Sequence, residues 1–189
     1  MLFDRLKEFG QVEGVESDPS IVSVDNPHRD HIHLGPFDDT FQTTTRFSLI
    51  LMLDVIEHLP DPGGALRKAY DLLRPDGVLL ATVPAFKLLW TAHDELNHHF
   101  TRYSKRTLGT MAKRAGFRVA RAAYFFHWVF GAKLLLRLFE RLFHRSEKPP
   151  SVPPIWLNDA LYILSRLEQL FVTPFGMPFG SSLLLIGQR

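Results

Sequence analysis

Two short stretches of this chain combine residue types whose spacing could do chemistry. The first, Leu53-Asp54-Val55-Ile56-Glu57-His58-Leu59-Pro60-Asp61-Pro62, places two carboxylates and an imidazole within one turn's reach of each other. An imidazole titrates near neutral pH, so His58 is a candidate general base; the alternative is that it caps or packs the following helix. The second stretch is His93-Asp94-Glu95-Leu96-Asn97-His98-His99-Phe100-Thr101-Arg102-Tyr103-Ser104. Its Arg102 fork and Tyr103 hydroxyl would suit an acidic or hydroxylated substrate, and an ordinary ion pair with helix-start packing would use the same two residues. Nine histidines raise the question of a metal. Zinc sites do combine His with Asp, but the adjacent His98 and His99 are poorly placed to chelate one ion together. No HExxH-like spacing exists either, so no metal site is expected. A further acid, Glu16, closes the short segment Val12-Glu13-Gly14-Val15-Glu16.

The elements that must position these groups alternate. Leu2, Phe3, Leu6 and Phe9 fall at helical spacing and Gly10 is a helix stop. The segment ending at Glu16 is a strand. Residues 17 to 46 are polar and turn-rich, with a short strand at His31-Ile32-His33-Leu34. Phe47 to Leu53 is a near-continuous apolar run that suits a buried parallel strand, and Asp54 ends it. Asp61 and Pro62 open a helix over residues 62–73. Arg74-Pro75-Asp76-Gly77 is a turn, and Val78 to Val83 the next buried strand. Ser104 caps a helix that Gly116 terminates, and Phe117 to Phe125 is a strand. Strands separated by helices of this length predict an α/β fold with a mostly parallel sheet. The pattern then changes to a helix at 128–144, a proline-rich linker at 148–154, a second helix at 155–171 and a last strand at Ser182 to Ile186.

Composition narrows the function classes. With 189 residues and 46% hydrophobic content the chain can bury one sizeable core. The absence of cysteine excludes disulfide frameworks, thiolate metal sites and cysteine nucleophiles, and fits a reducing cytoplasm. A net charge of +2 is too mild for a nucleic-acid binder, so no nucleic-acid partner is expected. Met1 is followed by an amphipathic helix rather than a signal peptide. The longest apolar approach, Ala122 to Leu136, is broken by His127 and Lys133 and falls short of a membrane span.

The phrase Asp54 to Pro62, with Leu72-Leu73-Arg74-Pro75-Asp76-Gly77 behind it, resembles the class I S-adenosylmethionine-dependent methyltransferases. The similar group carries D-x-x-E-H-L-x-D-P followed by L-L-R-P-G-G, with Asp76 standing here where glycine is frequent. The segment around Asp94 to Tyr103 and the helix ending Ala115-Gly116-Phe117 are similar to the same group, so the resemblance covers residues 1 to 126 and the final strand. It implies a Rossmann-like, doubly wound sheet with S-adenosylmethionine as cofactor and a small-molecule or lipid-linked acceptor. It also implies site roles. Glu16 would accept bonds from the cofactor ribose, Phe37 would stack on adenine, and Asp38 would approach its exocyclic amine. Asp54 and Glu57 would orient the methionine amino group or favour the sulfonium, while His58, Arg102 and Tyr103 would face the acceptor. Solvated, packing or turn roles stand beside these for Glu16, Phe37 and His58.

Members of this class begin with a central strand and glycine-rich loop reading roughly V-L-D-V-G-C-G-T-G, and no such segment is present. The expectation is therefore a truncated domain lacking its first strand, with weak cofactor binding and uncertain activity. The gap would be closed by pairing residues 12–16 with 47–53 or by a partner chain. The domain reading is a core at 1–127, a helical insertion or lid at 128–172 and a returning strand at 173–189. The helix at 128–144 sets Lys133, Arg137 and Arg141 against Trp128, Phe130, Leu135, Phe139, Leu142 and Phe143. It is a candidate for peripheral membrane contact, for a homodimer face or for plain packing. The rival from another class is a non-catalytic interaction or membrane-surface module derived from a methyltransferase.

Overall fold

The computed structural model describes residues 2–143 and 154–189; most of the proline-rich linker at 148–154 lies outside them. The chain forms two compact units, Met1–Thr45 and Arg46–Arg189, a division that falls inside the stretch read from sequence as one core.

In the first unit, helix α1 (Leu2–Lys7) ends before Gly10, whose φ of +151° is open to glycine. Phe3 stacks on His28 at 4.5 Å, and His28 Nε2 meets Asp4 Oδ1 at 2.7 Å, which ties α1 to the loop that follows. Strands β1 (Gly14–Glu16) and β2 (Ile32–Leu34) pair in parallel, with Gly14 opposite Ile32 and Glu16 opposite Leu34. The expected pairing of 12–16 with 47–53 is thus corrected: β1 takes β2 as its partner in a separate two-stranded sheet. Two parallel strands divided by a turn-rich loop can exchange ladder bonds directly once that loop doubles back, as it does through short turns at Pro19–Ile21 and Arg29–His31.

The second unit is built on a four-stranded sheet. Its strands are β3 (Phe47–Leu53), β4 (Leu73–Pro84), β5 (Arg118–Phe125) and β6 (Ser182–Gln188), in the order β3-β4-β6-β5. Only β6 runs against the others. The β3–β4 ladder passes from Phe47 opposite Leu73 to Leu49 opposite Val78, so Arg74-Pro75-Asp76-Gly77, expected as a turn, is an irregular stretch within β4. Asp76 holds φ +64°, the conformation that explains why glycine suits this place.

Helices α2 (Pro62–Leu72) and α4 (Lys105–Arg114) pack on the sheet and on each other, while a short helix, α3 (Ala92–Leu96), precedes α4. Asp61 accepts from the Gly64 N–H at 2.8 Å, and Ser104 and Thr107 cap α4 reciprocally. Leu66, Ala69, Leu108, Ala112, Leu79, Val83, Leu183 and Leu185 form the buried core between these helices and the sheet. The apolar run of β3 is not buried as expected. As the outermost strand in the order it leaves Leu49 46% exposed, with Met52 its only buried residue.

After β5 come α5 (His127–Phe143) and α6 (Ile155–Phe171), and then β6. Their tie is a buried acid. Glu168 of α6 accepts from the backbone N–H groups of His127 and Trp128 at 2.9 and 3.1 Å and meets His127 Nδ1 at 2.8 Å, so it caps the start of α5. Burial alone would raise the Glu168 pKa, but the bonds from the His127 ring and the two backbone donors outweigh it and hold it below 4.5. A depressed carboxylate contributes stability above its unfolded pKa and loses it as pH falls through the lower folded value. Glu168→Gln is expected to cost about 1 kcal/mol at neutral pH. In thermal melts the gap from wild type should narrow as pH drops below 4.5; a gap independent of pH would show that charge plays no part. No described helix is long and apolar enough to cross a membrane.

Candidate functional site

The chain leaves β3 through Asp54, whose φ of +52° turns the backbone sharply. The Asp54 N–H donates to the Thr82 carbonyl at 3.0 Å and to Thr82 Oγ1 at 3.1 Å, which anchors this turn to the neighbouring strand while its side chain stays exposed. A short 3-10 turn, Ile56–His58, follows and is sealed beneath by Ile56. Glu57 is 1% exposed, and its Oε2 has no hydrogen-bond partner among the described residues. Burial pushes its carboxyl up to about 7, with repulsion from Asp54 adding to the rise and a bond from its own backbone N–H opposing it. His58 is exposed on the same turn. Partial burial, reinforced by the neighbouring His99, lowers its pKa.

The second stretch is organised around Asp94, which is fully buried. Its Oδ2 accepts from the Thr91 N–H at 2.9 Å, completing the capping box of α3. Arg102 grips the same carboxylate with Nε to Oδ1 at 2.8 Å and Nη2 to Oδ2 at 2.9 Å, and its Nη1 donates to the Ala85 carbonyl at 3.2 Å. His99 Nδ1 lies 2.8 Å from Asp94 Oδ1. Burial would raise the Asp94 pKa, but the Arg102 fork, the Thr91 N–H and His99 overcome this and bring it to about 2. Arg102 is thus committed to an internal bidentate pair, the structural alternative open to it from sequence.

One backbone link joins the stretches, and another ties the second stretch to the end of β4. The Phe100 N–H donates to the Glu57 carbonyl at 2.8 Å, and Tyr103 exchanges bonds with Pro84 and Phe86 beside the end of β4. His58 and His99 consequently meet edge to face, with ring centroids 4.6 Å apart. Tyr103 is buried, its hydroxyl 3.5 Å from the Ile56 carbonyl, and burial with the nearby Glu57 charge pushes its pKa up to about 12. Asp54, Glu57, His58, Arg102 and Tyr103 are therefore brought together in the second unit. His99 joins them, and nothing in its sequence spacing singled it out from His98. Asp94 could have been found as a hub, because Thr91-x-x-Asp94 is a capping-box pattern.

Glu16, Phe37 and Asp38 lie in the first unit. Glu16 ends β1, and its Oε1 accepts from the Asp18 N–H at 3.0 Å. Phe37 is half-buried and packs at 5.5 Å on Phe41, while Asp38 Oδ1 accepts from the Thr40 N–H and hydroxyl at 2.8 and 2.6 Å. A concavity of about 360 Å³ in the same unit is lined by residues 33–36 and 40–42, and none of Glu16, Phe37 and Asp38 is among its lining residues. Of the basic face expected at 128–144, Lys133 is half-buried with a pKa lowered by that burial, and Arg137 donates to the Leu88 carbonyl. The side chain of Arg141 lies outside what is described.

Known proteins are similar to this chain. The family described as "Methyltransferase domain" matches residues 2–122. A ubiquinone biosynthesis O-methyltransferase of Azorhizobium caulinodans is 29% identical over 100 residues, covering 47% of this chain and 40% of that protein. A Haemonchus contortus phosphoethanolamine N-methyltransferase, solved with S-adenosylmethionine, superposes with a TM-score of 0.60 at 15% identity, covering all of this chain and 45% of that one. An S-adenosylmethionine-dependent methyltransferase from Archaeoglobus fulgidus gives 0.57 at 12% identity, covering all of this chain and 80% of that one. The chain thus spans less than half the length of the first two of these relatives. With the match to the family running from α1 into β5, the chain belongs to the class I S-adenosylmethionine-dependent methyltransferases.

Proposed function

We propose that the chain carries the acceptor side of a methyl-transfer site, with S-adenosylmethionine as donor and a small-molecule or lipid-linked acceptor. The observation that carries this reading is His58, its pKa lowered by partial burial, beside buried Glu57 and exposed Asp54, just past the carboxyl end of β3. Ligands of open α/β sheets bind at the carboxyl ends of the strands. A sulfonium methyl is already activated, so the reaction is an in-line displacement. The acceptor's lone pair bonds the methyl carbon as the carbon–sulfur pair returns to sulfur, and His58 takes the acceptor proton. Asp54 is the group for the methionine amino end, with Glu57 beneath it. Glu16, Phe37 and Asp38 take the ribose and adenine roles. Arg102 acts as a positioning residue, holding Asp94 and thereby the segment that carries His99 and Tyr103. The helices at 128–172 would serve as a lid, in a protein of the reducing cytoplasm.

The 189 residues hold no glycine-rich stretch like V-L-D-V-G-C-G-T-G, and on this reading cofactor binding needs such a loop. Calorimetry of the 189-residue chain with S-adenosylhomocysteine is expected to show no micromolar binding. Micromolar affinity would sink the requirement for that loop. A second reading, an interaction module, is favoured by α6, where Trp156 is 71% and Phe171 66% exposed. Liposome flotation and sedimentation distinguish a lipid surface from a second copy as the occupant of that face.

A further inference from the structure

Glu57, His58 and His99 each offer one ligand atom, and these three atoms lie within 4.8 Å of one another. Three further observations mark the cluster as more than a chance meeting. Glu57 Oε2 is buried without a hydrogen-bond partner among the described residues. A carboxylate oxygen in that position loses its hydration without replacement, a cost that natural proteins rarely leave standing. His99 engages Asp94 through Nδ1 at 2.8 Å, which leaves Nε2 as the nitrogen with a free lone pair. A carboxylate behind an imidazole is the arrangement that fixes the tautomer and raises the basicity of a metal-binding histidine. Asp94 cannot swing away to release it, because Arg102 and the Thr91 N–H hold both of its oxygens. Finally, the Phe100 N–H bond to the Glu57 carbonyl fixes His99 against the turn that carries Glu57 and His58.

We propose that Glu57, His58 and His99 form a binding site for a divalent transition cation of the zinc class. Two imidazoles and one carboxylate are donors that suit zinc or cobalt, whereas magnesium and calcium take oxygen donors. Donor atoms around a tetrahedral zinc stand about 3.4 Å apart given metal–ligand bonds of about 2.1 Å. The longest separation has to shorten by at most about 1.4 Å to reach that geometry, and the exposed His58 can supply that movement by a change of rotamer. Three protein ligands leave a fourth position open.

The catalytic consequence rests on the methyl-transfer reading; cation binding itself does not. A hydroxyl acceptor occupying the open position would ionise at lower pH, its proton passing to bulk water. The resulting oxygen anion would form the new carbon–oxygen bond as the carbon–sulfur bond breaks to give a neutral thioether. The cation would then replace His58 as the activating group, since coordination uses the lone pair that general-base action requires, and the acceptor atom would be oxygen.

The test uses the full chain, stripped with a chelator and titrated calorimetrically with zinc, with cobalt absorption as a second readout. One equivalent is expected to bind. His58→Ala, His99→Ala and Glu57→Gln should each weaken binding at least ~10-fold, with magnesium unable to compete. His31→Ala and His93→Ala, exposed histidines outside the cluster, should leave it unchanged. No stoichiometric binding, binding that survives all three substitutions, or binding lost with either control overturns the site. His58 is on the surface, so its variant keeps the test decisive if the buried substitutions unfold. Because no methyl donor is present, failure here is separable from failure of the S-adenosylhomocysteine experiment.

Discussion

Replacing Asp94 with alanine is expected to destabilise the protein by about 3–5 kcal/mol, measured as a lowered urea midpoint at unchanged slope. The size follows from what remains behind. The Arg102 side chain is 2% exposed, and it would keep its full charge beneath the surface with the Ala85 carbonyl as its remaining hydrogen-bond partner among the described residues. Breaking one side of a buried pair leaves this uncompensated charge, whereas replacing both sides with apolar residues removes it. The double variant Asp94→Leu with Arg102→Met is therefore expected to recover much of the loss. Arg102→Lys should be intermediate, because an ammonium cannot bridge both carboxylate oxygens. The pH dependence has a definite sign. A carboxyl depressed from 3.8 to about 2 contributes its stability fully above the higher value and loses it as pH falls through the lower. The wild-type advantage over Asp94→Ala should hold above 3.8 and shrink progressively as pH falls from there through about 2. A loss under about 1 kcal/mol at neutral pH would mean that water reaches Arg102 and the pair behaves as a surface one.

The sequence carried most of the frame because its signals are local. Asp61-Pro62 and Ser104 mark helix starts through a side chain that satisfies a backbone donor three positions on, which is visible within four residues. The helices at 62–72, 105–114 and 155–171 all lie within a residue or so of their expected bounds. What was not legible depends on loops. His99 meets Glu57 and His58 only because the chain returns past the end of β4. Glu168 meets His127 only because α6 folds back on α5. Neither encounter leaves a periodicity. The apolar run of β3 was misread for a related reason: composition reports how apolar a strand is, but its place in the sheet order decides how much of it is covered. Arg102 illustrates the limit from the other side. Its residue type suits substrate and ion pair equally, and only the position of Asp94 settles how its fork is used.

Gly180→Ala is expected to cost about 3 kcal/mol, at the upper end for a single added methyl. A Cβ there would stand 2.5 Å from the Phe125 carbonyl oxygen and 2.9 Å from the Phe125 nitrogen. These are backbone atoms of β5, so no side chain can turn aside to make room. The position also controls how β6 is threaded between its neighbours. The next residue, Ser181, donates to the Phe126 carbonyl at 3.2 Å and accepts from the Ala85 N–H at 2.9 Å, so a shift at Gly180 disturbs the start of both ladders. Gly109 is the matched control. It sits inside α4 with nothing within 4 Å of an added Cβ, and Gly109→Ala should stabilise by about 0.5–1 kcal/mol through helix propensity alone. Denaturant titration of the two variants should therefore move the midpoint in opposite directions. A Gly180→Ala protein as stable as wild type would mean that β6 can shift away from β5 freely. That outcome would contradict a sheet whose central strand is held on both edges.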